Sequence, residues 1–200
     1  MYQTAPKTRL ILASASPRRS QLLSGVGINY EIMASGCDET PLVNETATDM
    51  VRRLALDKAR FVARSHPDAW VIGADTTVVV DGEILGKPNN HADAVRMLSL
   101  LQGREHQVAG AFGIVCAARA LEEVEVHTST VHMVNLGKEA VAAYVHTGEP
   151  MDKAGAYAIQ GVGAGLIEAV DGSYTNVVGL NLSALLKRLL KLQVIKLAIP

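Results

Sequence analysis

The sequence predicts a mixed α/β fold, and three observations predict it. The run Trp70–Val80 is apolar or small apart from Asp75 and two threonines, which is the composition of an interior strand. Residues 48–64 carry an apolar stripe at helical spacing. Residues 123–134 alternate with the two-residue period of a half-buried strand, beside a second strand-like run at 107–117. Strands joined by helices in some places and by hairpins in others call for a mixed sheet with flanking helices.

Composition sets the outer limits. A chain of 200 residues suits one large domain or two small lobes, and a 48% apolar content supplies a core. With 19 basic and 20 acidic residues the charge is balanced, which argues against a general nucleic-acid or membrane-surface binder and leaves a local anion site open. Of the two cysteines, Cys37 and Cys116, the second sits in an apolar run and reads as a buried thiol, which fits a reducing compartment. The start has no long apolar core of a signal peptide. The uncharged run Ala154 to Ile167 is glycine-rich and too short for a membrane span.

In chain order, Met1 to Lys7 reads as a loose start and Arg9 to Ala13 as a short strand. Ser16 and Pro17 then mark a helix start, serine as cap and proline at the first helical position. No acidic residue occurs before Glu31, and Arg18 and Arg19 add positive charge at a helix end that already favours anions. A strand feeding such an end fits a phosphate cradle; an ordinary capped helix with solvated arginines is the plainer alternative. Tyr30 to Met33 is a candidate second strand. Asp38 and Glu39 read either as metal-site carboxylates or as a solvated loop.

Thr48 or Asp49 opens a helix running to about Arg64. Its apolar side carries Val51, Leu54, Ala55, Ala59, Phe61 and Val62, with Arg53, Asp57 and Arg60 opposite. Lys58 falls near the centre of the apolar side, where a lysine either snorkels out or reaches inward to an anion. Asp81-Gly82 suits a two-residue turn that ends the central strand and leads through Glu83–Leu85 to Gly86-Lys87-Pro88. Asn90 caps a helix with Asp93 at the third position and Val95, Leu98 and Leu101 as its stripe, ended by Gly103. Gly110 and Gly113 suggest close backbone approach or a bulge. Lys138 to His146 is a short helix and Leu166 to Val170 a strand. Asn181 or Ser183 opens a last helix with Leu182, Leu185, Leu186 and Leu189 inward, after which the end frays. A break into two lobes is expected after about Pro88 or Gly103.

The chemistry concentrates in few residues. Asp75 is a lone carboxylate in an interior strand, costly there unless paired, hydrogen-bonded or metal-bound. Between Met151 and Gly165 four glycines and four alanines permit close approach of backbone to a ligand. In that stretch Asp152 and Lys153 either pair or present opposite charges, and Gln160 carries an amide able to read a base edge. The glycine spacing is not that of a phosphate-binding P-loop, His127 and His132 lack partners at zinc-ligand spacing, and no serine–histidine–acid set has a usable spacing. Basic groups for a phosphate chain, carboxylates for a hard divalent cation and one to orient water suit reactions of a nucleoside triphosphate better than acyl transfer.

The motifs Ser14-Ala15-Ser16-Pro17-Arg18-Arg19, Gly73-Ala74-Asp75-Thr76, Gly86-Lys87-Pro88, Asp152–Gly161 and Gly172–Leu180 resemble the Maf family over nearly the whole chain. The resemblance implies a single domain over 1–200 with an elongated mixed sheet and two lobes around a cleft, similar to the inosine triphosphate pyrophosphatases. It implies hydrolysis of a nucleoside triphosphate at the α–β bond with magnesium or manganese, in a cytoplasmic homodimer. Asp75 is then the proton acceptor, Glu39 a metal carboxylate acting with Asp75, and Lys58 and Lys87 stabilise phosphate charge. Ser14 and Arg18 lie on the phosphate side, Lys153 binds substrate, and Arg18, Thr76 and Gln160 match positions tied to substrate choice. Thr76 and Gln160 resemble the branch preferring dTTP and UTP; the branch preferring 7-methyl-GTP usually has Asp-Gln where this chain has Asp75-Thr76. A modified-nucleotide enzyme and a non-catalytic nucleotide-binding regulator of septum formation are the alternatives. Ala15 replaces a common glycine and Asn181 a usual proline.

Overall fold

The structure is a computed structural model and describes residues 1–198. Its elements are β1 (Tyr2–Thr4), β2 (Leu10–Leu12), α1 (Pro17–Gly25), β3 (Glu31–Ile32), α2 (Ala47–Ala63), β4 (Trp70–Val80), β5 (Glu83–Leu85), α3 (His91–Leu101), β6 (Glu105–Cys116), β7 (Leu121–Met133), α4 (Gly137–His146), β8 (Ile167–Asp171), α5 (Tyr174–Val178), α6 (Leu182–Lys191) and β9 (Ile195–Leu197), with short 3-10 turns between. Seven strands form one sheet in the order β3-β2-β4-β6-β7-β8, with β5 alongside β4. β2 runs parallel to β3 and β4, whereas β5 and β8 are antiparallel to their neighbours β4 and β7, so the sheet is mixed as expected.

The chain divides into two compact units. The first comprises Met1–Asp75, Gly110–His127 and the chain from Gly179; the second comprises Thr76–Ala109 and Thr128–Val178. The divisions fall inside β4, β6 and β7, not at Pro88 or Gly103. Turn residues mark where a strand ends; nothing in local composition marks where one strand changes its packing partners.

In the first unit the sheet is covered on both faces, which is why its strands read as continuous apolar runs. Leu10, Leu12, Trp70, Ile72, Phe112 and Ile114 face Leu23 of α1 and Leu185 and Leu189 of α6. Ile11, Ala13, Val71 and Val115 face Ala59 and Val62 of α2. In the second unit Val78, Val80, Val131 and Met133 pack on Leu98 and Leu101 of α3 and on Tyr144 and Val145 of α4. Each fully buried Leu, Ile or Val contributes about 1.5–3 kcal/mol.

One contact sets the site. A β-carbon on Gly73 would lie 2.1 Å from Ala55 O and 2.7 Å from Ala59 N, so only glycine lets the α2 backbone rest on β4 there. Gly113 on β6 gives the same helix room, with Ala55 O 3.3 Å from its notional β-carbon, which is the close approach the sequence suggested. The Asp81-Gly82 turn has positive φ at both residues (51° and 81°), the geometry of a tight hairpin, and Asn90 accepts from Asp93 N at 3.0 Å as a cap should.

Several expectations are corrected. Neither Met1–Lys7 nor the stretch after α6 up to residue 197 is loose: β1 and β9 pair antiparallel, with Val194 and Ile195 buried, while the expected fraying of 199–200 lies outside the described residues. Each strand pairs with one from the far end of the chain, and Tyr2 N also donates to Val26 O at 3.1 Å, so neither carries a local signal. α2 begins at Ala47 with Thr46 as its cap, accepting from Asp49 N. Phe61 and Val95 are 46% and 37% exposed, because both lie at the margins of their helical stripes. Ser16 occupies the cap position of α1, but its side chain makes no capping bond.

Candidate active site

The first unit builds a buried charged cluster around Lys58. Helix α2 buries its Met50, Val51, Leu54 and Ala59 face, and Lys58 lies within that face, 5% exposed. Gly73 brings the helix down onto β4 two residues before Asp75, which is 7% exposed. The result is a hydrogen bond from Lys58 Nζ to Asp75 Oδ1 at 2.7 Å. Glu39 Oε1 lies 2.7 Å from the same nitrogen, and its side chain is 55% exposed. One ammonium thus holds two carboxylates, one at the end of the unit's central strand segment and one at its surface. The inward placement of Lys58 is the one its position on the helix predicts.

Beside it, Ala13 N donates to Ile72 O at 2.7 Å, so the chain leaves β2 alongside β4 with Ser14 buried. Ser14 Oγ accepts from Ser16 N at 3.2 Å and from Arg19 Nη1 at 3.1 Å. Arg19 Nε donates to Gly179 O at 2.8 Å. Burial pulls the Arg19 pKa below its ordinary value, against the charge of Asp75; Arg18 lowers it further and Glu39 opposes the fall. Arg19 therefore belongs to the cluster; the sequence marks both arginines of this helix start but carries only Arg18 into the site. Two adjacent arginines in a first helical turn point about 100° apart, so the pattern alone does not say what either one touches. Arg18 is half-buried in the same turn.

The second unit holds the remaining predicted residues. Thr76 is half-buried on β4, directly after Asp75 in sequence. Lys87 is exposed in the turn after β5. Gly86 O of that turn accepts from Gly155 N at 3.0 Å, and Gly155, at φ +69°, sits against Val78 where a β-carbon would come within 2.9 Å. The turn bearing Lys87 is thereby joined to the glycine-rich segment. Lys153 Nζ donates to Asp152 Oδ1 at 2.6 Å and to Glu149 O at 2.7 Å, so the pairing alternative is the one observed. Gln160 is exposed, and no hydrogen bond engages its side chain among the described residues. The structure thus brings together Ser14, Glu39, Lys58 and Asp75 in one unit, and the segments bearing Lys87 and Lys153 in the other.

Two donors capable of holding a hard cation converge, Glu39 and Asp75, both already drawn to one positive charge. Magnesium commonly takes one or two protein carboxylates and completes its shell with waters and substrate phosphates, so this pair fits such an ion. Among the described residues no group of three or more His, Cys, Asp or Glu forms a metal site. His132 instead pairs with Asp171 at 2.8 Å, and His127 stacks on Phe112. A separate pocket on the outer side of α2, lined by Cys37, Asp38, Arg53, Arg60 and Phe61, has its Arg53 held by Glu45 and its Arg60 by Glu122.

A family model described as Maf-like protein matches residues 9–192. A dTTP/UTP pyrophosphatase of Desulfotalea psychrophila is 47% identical over 188 residues, covering 94% of this chain and 96% of the relative. One of Geobacter metallireducens is 50% identical, covering 88% and 91%, and one of Myxococcus xanthus is 47% identical, covering 92% and 94%. Among solved structures, the Staphylococcus aureus Ham1 protein is 16% identical with a TM-score of 0.44, covering 64% of this chain and 73% of that one.

Proposed function

This chain belongs to the Maf-like protein family, and from that premise we propose that it is a nucleoside triphosphate pyrophosphatase acting on dTTP and UTP. The reaction adds water across the α–β phosphoanhydride, giving the nucleoside monophosphate and pyrophosphate. The observation that carries the reading is the buried Lys58 ammonium between Asp75 and Glu39. A buried pair of this kind is weak evidence for stability alone, and it supplies the opposed charges that phosphoryl chemistry uses.

In this reading Asp75 accepts a hydrogen bond from the attacking water, orients it toward the α-phosphorus and takes its proton. Lys58 fixes the Asp75 carboxylate and, with Lys87, offsets the negative charge gathering on the phosphate oxygens. Ser14 and Arg18 face the phosphate chain, and Arg19 holds Ser14 in place. Lys153 contributes to substrate binding, and Thr76 and Gln160 select the base. Glu39 and Asp75 would hold magnesium or manganese, which when bound neutralises phosphate charge and makes the α-phosphorus a better electrophile. The same reading takes the chain as a cytoplasmic homodimer, in keeping with its two free cysteines.

The test is pyrophosphate release from dTTP, UTP, CTP, GTP and 7-methyl-GTP with magnesium or manganese, with Asp75→Asn as control. Turnover of dTTP and UTP that vanishes in Asp75→Asn is the expected result. Activity confined to 7-methyl-GTP overturns the substrate class and keeps the reaction. Nucleotide binding without turnover overturns the reaction.

A further inference from the structure

We propose that Glu149 is a positioning residue for base selection: its carboxylate, together with the Tyr144 phenol, fixes the backbone on both sides of Gln160 and so aims an amide that does no structural work of its own. The inference rests on the reading of Gln160 as the base-selecting residue.

The geometry is a clamp. Glu149 Oε1 accepts from Val162 N at 3.0 Å, and Oε2 accepts from Gly163 N at 2.8 Å. Oε2 also accepts from the Tyr144 hydroxyl at 2.8 Å, and that hydroxyl oxygen accepts from Ala158 N at 3.1 Å. One carboxylate and one phenol therefore hold three backbone amides, at 158, 162 and 163, with Gln160 between them. Val162 and Gly163 open the 3-10 turn Gly161–Leu166, whose first amides have no partner within the turn. Gln160 stands at the capping position of that turn, yet its side chain makes no capping bond. Glu149 supplies the cap from elsewhere in the chain.

The glycines bear the marks of this arrangement. A β-carbon at Gly161, where φ is +69°, would lie 2.2 Å from Glu149 Oε1. One at Gly163 would lie 2.3 Å from Ala158 O and 2.6 Å from the Tyr144 hydroxyl. At Gly161 the clamp and the positive φ together exclude a side chain, and at Gly163 the Ala158 carbonyl and the Tyr144 hydroxyl do so. Burial raises the Glu149 carboxyl, and the Tyr144 hydroxyl, the two amides and the Lys153 charge more than offset it, so the group is held ionised with its acceptor oxygens available. Tyr144 is buried in the α4 face, which anchors the clamp to the core of the unit.

A glutamine at 149 keeps the shape but offers one acceptor oxygen to donors that use two. Glu149→Gln is expected to raise KM for dTTP and UTP about tenfold, with kcat within about twofold, and to reduce the preference for them over CTP and GTP by a similar factor. In a Gln160→Ala background the same substitution adds no more than about twofold, because its effect passes through the missing amide. On nucleotide-free protein, hydrogen exchange at the Val162 and Gly163 amides accelerates at least about tenfold. Tyr144→Phe is the second variant and repeats the pattern, should Glu149→Gln fold poorly. Unchanged exchange, or an undiminished effect in the Gln160→Ala background, overturns the proposal. If the unmodified protein turns over no nucleotide, the pyrophosphatase reading falls, and the exchange measurement decides the clamp separately.

Discussion

Around Lys58, charged side chains hold one another: an ammonium sits between two carboxylates, and a guanidinium holds a serine and a backbone carbonyl. Around Gln160, side chains hold backbone: Glu149 and Tyr144 bind three amides and leave the intervening side chain exposed. The first arrangement suits chemistry on phosphate, where fixed charge must stand ready without reorganising. The second suits discrimination, where a neutral group must be placed accurately yet remain unpaired until the ligand arrives. The difference predicts different failures: loss of a charge in the first region should strike kcat and stability, and loss of a hydrogen bond in the second should strike KM and selectivity.

The sharpest separation comes from Asp75→Asn, which keeps shape and removes the carboxylate proposed to accept the proton. The expected loss in kcat is about a thousandfold, read by pyrophosphate release. Lys58→Met comes next. It leaves Asp75 buried without its cation and should destabilise the fold by about 3 kcal/mol in denaturant titration, besides abolishing activity. Should Lys58→Met prove as stable as the parent, the pair would be a functional device with no structural share, and the comparison would sharpen.

The third test falls in the second unit, outside the clamp. His106 Nε2 lies 2.8 Å from the Tyr157 hydroxyl, and its Nδ1 has no partner among the described residues. Burial, then the nearby His132, push its pKa down to about 4. The folded state therefore refuses a proton that the unfolded state takes up near pH 6.5. Stability is full above that pH and falls as pH drops toward 4, by at most about 1.4 kcal/mol per unit. Carboxylates held below their usual range, such as Glu45 at about 2, begin to matter only below about pH 4.5. Thermal melts between pH 7 and 4.5 should show the slope, and His106→Gln should flatten it. The smallest effect on stability is expected of Glu39→Gln. Its side chain is mostly exposed, so unfolding should shift by less than about 1 kcal/mol while the metal concentration needed for activity rises.

Much of this was legible before any coordinates. The helical phase of α2 put Lys58 inward, the run Trp70–Val80 gave the central strand, and Asn90 with Asp93 marked the start of α3. These are local signals, in which each residue's role follows from neighbours three or four positions away. What stayed hidden depends on distant partners. Arg19 is held by Ser14 and by Gly179 far along the chain, β1 pairs with β9 at the opposite end, and Glu149 reaches amides 13 and 14 residues away. Phe61 sits at the margin of its helical stripe, where a pattern cannot decide between core and solvent.

Gly73 and Gly113 carry a lesson for anyone who would graft this chemistry elsewhere. Copying Glu39, Lys58 and Asp75 onto another helix and strand would reproduce the side chains and miss the spacing. The lysine meets its carboxylate because two β-carbons are absent beneath Ala55 and Ala59, letting a helix lie on strands at backbone contact. A transplant must therefore begin by emptying the host sheet at those two places, and only then install the charges.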